Sequence, residues 1–112
     1  MEKIKICKGI NVSNKIFTQT WQDLEKFFGV PITEFGKVMQ KKLKSIDEEI
    51  SFSYVVISQD NDISKEELIK KIDEDEDISI SILGTIKKIV NLFTKQLQES
   101  NDQGEGKKTK NQ

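Results

Sequence analysis

ISFSYVVIS, residues 50–58, is the stretch on which the fold turns. Ile50, Phe52, Tyr54 and Val56 alternate with Ser51, Ser53 and Val55, and by propensity that reads as a strand. The same residues also fit a short buried helix, and periodicity cannot arbitrate over so few positions. Everything around the stretch is easier to read. On its N-terminal side, Ile32, Phe35, Met39, Leu43 and Ile46 share one face of a helix that starts near Thr33. The lysines of that helix (Lys37, Lys41, Lys42, Lys44) crowd toward its C-terminal end, where the helix dipole favours cations. Before it, Trp21, Leu24, Phe27 and Phe28 recur at helical spacing. Thr20 with Asp23 gives an N-cap signal, Gly29 suits the C′ position, and Pro31 forbids continuation, so the first helix spans about 19–29.

At the start of the chain, Ile4 and Ile6 alternate with Lys3, Lys5 and Lys8, the pattern of a half-buried strand with Cys7 on its lysine face. Asn11, Ser13 and Asn14 are turn formers ahead of Ile16 and Phe17, so a short β-hairpin is expected. Beyond the ambiguous stretch, residues 59–62 (QDND) form a loop, and Ser64 with Glu67 makes a capping box. Leu68, Ile69 and Ile72 give the next helix its apolar face, and the acidic run Asp73–Asp77 ends it. Leu83, Ile86, Val90, Phe93 and Leu97 then follow at spacings of three and four, with Ile82 and Ile89 widening the stripe. From Glu99 to Gln112 there is no apolar residue, so a disordered polar tail is expected. The expectation is a predominantly α-helical α+β fold: a short N-terminal hairpin, four or five short helices, one compact domain over 1–98, and the tail over 99–112.

At 112 residues there is room for one core, and it is a lean one: 35% hydrophobic against 33% charged. There is no histidine, which removes the commonest general base and metal ligand. The single cysteine excludes an internal disulfide or a multi-cysteine zinc site. All eighteen basic residues are lysine, and the absence of arginine argues against base or phosphate readout. No apolar run is long enough to span a membrane. The lysine-interrupted start is unlike a signal peptide, so a cytoplasmic protein is expected. The Lys-, Ile- and Asn-rich composition suits an AT-rich genome, that of a low-GC bacterium or its phage. Net charge is −1, yet it is unevenly placed. Residues 1–46 hold nine lysines against four acids, whereas residues 47–82 hold three lysines against twelve acids. Such asymmetry favours head-to-tail self-association or a charged partner.

No constellation carries chemistry. Asp73, Asp75 and Asp77 alternate as in a calcium loop, but the positions that need glycine and glutamate hold Ile78 and Gly84. Gly104, Gly106 and Lys107 half resemble a phosphate loop without the strand and helix that would frame one. Cys7 has no histidine to activate it. The reading is of a protein that is not an enzyme, with no cofactor and no metal. Trp21, Leu24 and Phe28 of the first helix, and Leu83, Ile86, Val90, Phe93 and Leu97 of the last, are the candidate partner-binding residues.

The order of elements resembles the tail assembly chaperones of long-tailed bacteriophages and prophages. The stretches that carry the likeness are KIKIC, FTQTWQDLEKFFGVPITEF, DISKEELIKKID with its following ED, and the last amphipathic helix, within residues 3–98. The resemblance implies a small, non-catalytic, mostly helical protein. It would bind a long helical tape-measure protein before the tail tube polymerises and keep its hydrophobic helices soluble. Members are often made in two lengths by ribosomal frameshifting, and the codons for Gly106–Lys108 could form a slippery run. The serine alternation of ISFSYVVIS departs from the helix the family has there. A rival expectation is a small acidic phage or mobile-element inhibitor that binds a host nucleic-acid enzyme. A DNA- or RNA-binding module built on Lys37–Lys44 is a third and weaker one.

Overall fold

The disputed stretch is helical. The computed structural model describes residues 2–101, and in it residues 50–57 belong to a helix that starts upstream of them. Ser45 caps that helix: its Oγ accepts a hydrogen bond from the Glu48 amide, and the Glu48 carboxylate accepts from the Lys44 amide and the Ser45 hydroxyl. Asp47, Glu48 and Glu49 then fill the first turn, where the helix dipole favours negative charge. With the start so fixed, Ile50, Ser53 and Ile57 fall on one buried face and Phe52 and Val56 on the next.

Among the described residues the chain order is a two-stranded antiparallel hairpin, β1 (Lys3–Cys7) and β2 (Ile10–Ser13), followed by five helices. These are α1 (Thr18–Phe28), α2 (Phe35–Lys42, entered through a single 3-10 turn at Ile32–Glu34), α3 (Ile46–Ile57), α4 (Lys65–Glu74) and α5 (Ile82–Asn101). The predominantly helical α+β expectation therefore holds, with five helices. Phe28, Phe35, Phe52 and Phe93 come from α1, α2, α3 and α5 and meet at one point. The ring centroids in contact lie 4.7 Å (Phe28–Phe35) to 6.2 Å (Phe28–Phe93) apart. Phe52 and Phe93 pack edge to face at 5.1 Å, a geometry worth about 0.5–1.5 kcal/mol beyond area burial. The hairpin lays Ile6, Ile10 and Val12 onto this cluster beside Leu68 and Ile72 of α4.

Several local expectations are corrected. The hairpin turns at Lys8–Gly9, not at Asn11–Asn14, because Gly9 supplies the left-handed φ of +83° that so tight a turn requires. Ile6 is an extra residue: Lys5 pairs with Asn11, but Cys7 pairs with Ile10. The resulting bulge breaks the period of two, so Ile6 and Cys7 both point inward and Cys7 leaves the lysine face. Helix α1 starts at Thr18 without a side-chain cap, and Thr20 is buried inside it rather than capping it. Gly29 does end it, at φ +75°, with its amide on the Glu25 carbonyl at 2.8 Å. Helix α2 stops at Lys42, so Ile46 belongs to α3 and is half exposed. Helix α5 is buried along Ile86, Ile89, Leu92 and Phe93, a stripe rotated from the expected one, and Leu83 is left outside it. That helix also continues through Asn101, past the expected boundary at 98; the rest of the anticipated tail, 102–112, lies outside the described residues, as do Gly104, Gly106 and Lys107.

Candidate functional site

A two-stranded hairpin leaves main-chain groups open on both edges, and here side chains from distant elements close them. Just after α3, the Asp60 carboxylate accepts from the Ser13 amide at 2.7 Å and the Ser13 hydroxyl at 3.0 Å. Asn61 Nδ2 donates to the Asn11 carbonyl at 2.8 Å. Gln59 takes the Phe17 amide on its Oε1 and donates its Nε2 to the Lys15 carbonyl at 2.7 Å. From α5, Gln96 accepts from the Ile16 amide and donates to the Asn14 carbonyl, both at 2.8 Å. Three consecutive side chains and one from the last helix thus act as a substitute strand along β2 and the segment after it.

This docking of residues 14–16 against α5 shapes a groove of about 830 Å³. Ile4, Trp21, Ile32, Leu92 and Leu97 form its apolar floor. Trp21 is held by the core beneath it, 5.6 Å from the Phe93 ring and 6.5 Å from Phe35. Lys15, Lys88 and Lys95 stand around the rim, with Glu99 the one acid among them. Lys88 donates to the Lys5 carbonyl at 3.0 Å. Among the described residues no carboxylate lies within 4.0 Å of the three rim ammonium groups. The groove therefore offers apolar area to one face of a ligand and lysine side chains to its flanks, of which Lys88 also acts on the Asp77 carboxyl.

The expected binding residues divide. Leu24, Phe28, Ile86 and Phe93 are buried in the core of the chain itself and do not line the groove. Trp21 and Leu97 line the groove. Val90 is half-buried and packs on the core. Leu83 is 66% exposed near the N-terminal end of α5, away from the groove. Sequence reasoning missed Ile4, Ile32 and Leu92. Leu92 carried a signal, since it follows Ile89 by three residues, but only the observed rotation of α5 shows which stripe faces where.

The acidic run forms a turn. Asp75 accepts from the Lys8 amide at 2.8 Å and the Asp77 amide at 2.9 Å, and these bonds hold its carboxyl below the usual range. The Ser79 hydroxyl and amide do the same for Asp77. Carboxylates so engaged favour the turn itself over an ion, and no group of three or more metal-ligating side chains gathers among the described residues. Burial pushes the Cys7 thiol up, away from reactivity, with the nearby Asp75 charge adding to the effect. On α2, Lys42 sits 5.2 Å above the Phe27 ring and Lys37 pairs with Glu34 at 3.5 Å, so the basic run is partly engaged within the fold. No described helix is long and apolar enough to cross a membrane. Compared with family models, curated proteins and solved structures, the chain matches none.

Proposed function

We propose that this chain is a non-catalytic assembly chaperone of the phage-tail kind, acting in the cytoplasm of a bacterial host. Its partner is a long helical, tape-measure-like protein, and an amphipathic helix of that partner lies in the groove over Trp21 and Leu97. The observation that carries the reading is the pairing of an apolar floor with three rim lysines that, among the described residues, have no carboxylate within 4.0 Å. Such a groove suits a helix with an apolar stripe and acidic flanks, the helix-in-groove mode of recognition. The likeness in element order to tail assembly chaperones supplies the identity of the partner.

The test is co-expression with the protein encoded by the adjacent long reading frame. That protein should stay soluble only when this one is present, with several copies of this chain in the complex by light-scattering mass. Lys95→Glu, at an exposed position on the rim, should cut recovery of the complex while leaving circular dichroism unchanged. Equal solubility of the partner without this chain would sink the proposal.

A second reading rests on the acidic surface of α4 and the turn that follows it. Glu66, Glu67, Asp73, Glu74, Glu76 and Asp77 are all exposed on α4 and the turn after it. As an acidic decoy for the basic cleft of a nucleic-acid enzyme, the chain would bind one to one, and affinity would fall steeply with salt. Substituting groove residues would leave that binding untouched, which separates the two.

A further inference from the structure

Ile78 is 99% exposed, the most solvated large apolar side chain among the described residues. It stands at the tip of the turn before α5, directly after Glu76 and Asp77, and two hydrogen bonds from Ser79 fix the Asp77 carboxylate beside it. An apolar knob with an acidic collar has the chemistry that the groove is built to take, an apolar floor with a lysine rim. We propose that in the isolated protein the groove is filled by the tip of a second copy. Ile78 of one chain seats among Trp21, Leu92 and Leu97 of the next, and Glu76 and Asp77 approach Lys15 and Lys95.

A chain cannot do this to itself. The tip lies before the N-terminal end of α5, whereas Lys95 and Leu97 sit more than three turns along it, about 20 Å away at 1.5 Å per residue. Lys88, nearer the start of α5, acts on the Asp77 carboxyl of its own chain, whereas the Lys95–Leu97 part of the groove is a patch distinct from the tip, so the contact with it is head to tail. It does not close on itself, and copies add in a row. The inference goes beyond the proposed function: it concerns what covers the groove before any partner arrives.

The test is the mass of the purified chain alone, by sedimentation velocity across concentration and salt. Wild type should grow past a dimer as concentration rises, and raising salt from about 0.05 to 0.5 M should weaken association roughly tenfold or more. Ile78→Asp and Lys95→Glu alter exposed positions and should keep the native circular dichroism. Each alone should remain monomeric, because one lacks the tip and the other the groove. Mixed in equal amounts they should form a one-to-one pair and nothing larger, since each supplies the half the other has lost. A wild type that stays monomeric up to about 1 mM overturns the proposal. So does a dimer that survives both substitutions, or a mixture that fails to pair. No partner is present in these experiments, so a chain that stays monomeric yet still solubilises its partner removes this contact and leaves the chaperone reading standing.

Discussion

Ser53 is 2% exposed inside α3, and its hydroxyl has no hydrogen-bond partner among the described residues. A hydroxyl buried unpaired carries a desolvation cost that an isosteric methyl does not. Ser53→Ala should therefore raise stability by about 1 kcal/mol, read as a higher urea midpoint at unchanged m. Gln96 is the opposite case, because its amide satisfies one main-chain donor and one acceptor at 2.8 Å each. Gln96→Ala leaves both part-buried groups without it and should cost about 1–3 kcal/mol. Asp75 and Asp77 add a pH dependence. Their carboxyls are lowered in the folded state, so the unfolded chain binds protons first as the solution is acidified. Their contribution is complete above the ordinary aspartate value of about 3.9 and is lost as pH falls toward the lowered one. Asp75→Asn should lower stability near neutrality and flatten the profile in that acid window, so that urea midpoints of variant and wild type converge as pH falls.

Among the elements, α3 shows what could be read ahead and what could not. Its cap lies open in the letters: Ser45 followed three residues later by Glu48, immediately before an apolar run. The smooth stripe from Phe35 to Ile46 competes with that signal and invites one long helix across the break. Helix α4 had no such competitor, and the Ser64 half of its expected capping box is present, with the Glu67 amide 3.0 Å from the Ser64 hydroxyl. The inward turn of Cys7 was hidden because a bulge depends on how two strands pair, not on the alternation of either one. The groove was hidden for a related reason. Gln59, Asp60, Asn61 and Gln96 look like ordinary loop and surface residues, and their role exists only once α3 and α5 lie beside β2. Ser45→Ala should lower stability by about 1 kcal/mol, since it removes the cap that sets α3 in register. Thermal unfolding would show this directly.

For the whole molecule, the aromatic cluster makes α1, α2, α3 and α5 depend on one another. Phe93 touches three other phenylalanine rings and Trp21, so its removal is felt by every helix that meets there. Phe93→Ala should cost about 3–5 kcal/mol, a large share of the roughly 5–15 kcal/mol that holds a domain of this size. The lone tryptophan reports the same event, since Trp21 lies against Phe93. Fluorescence and far-ultraviolet dichroism should therefore lose their native signals at one shared urea concentration. Separated transitions would mean that the hairpin and α4 unfold apart from the aromatic cluster.

The bulge at Ile6 turns the chain's one thiol into an internal clock. With Cys7 1% exposed and its ionisation suppressed, a disulfide reagent can react only during the moments when the hairpin lifts away from α4. The labelling rate divided by that of an unstructured cysteine peptide then gives the fraction of time the hairpin is open, with no denaturant and no engineered probe.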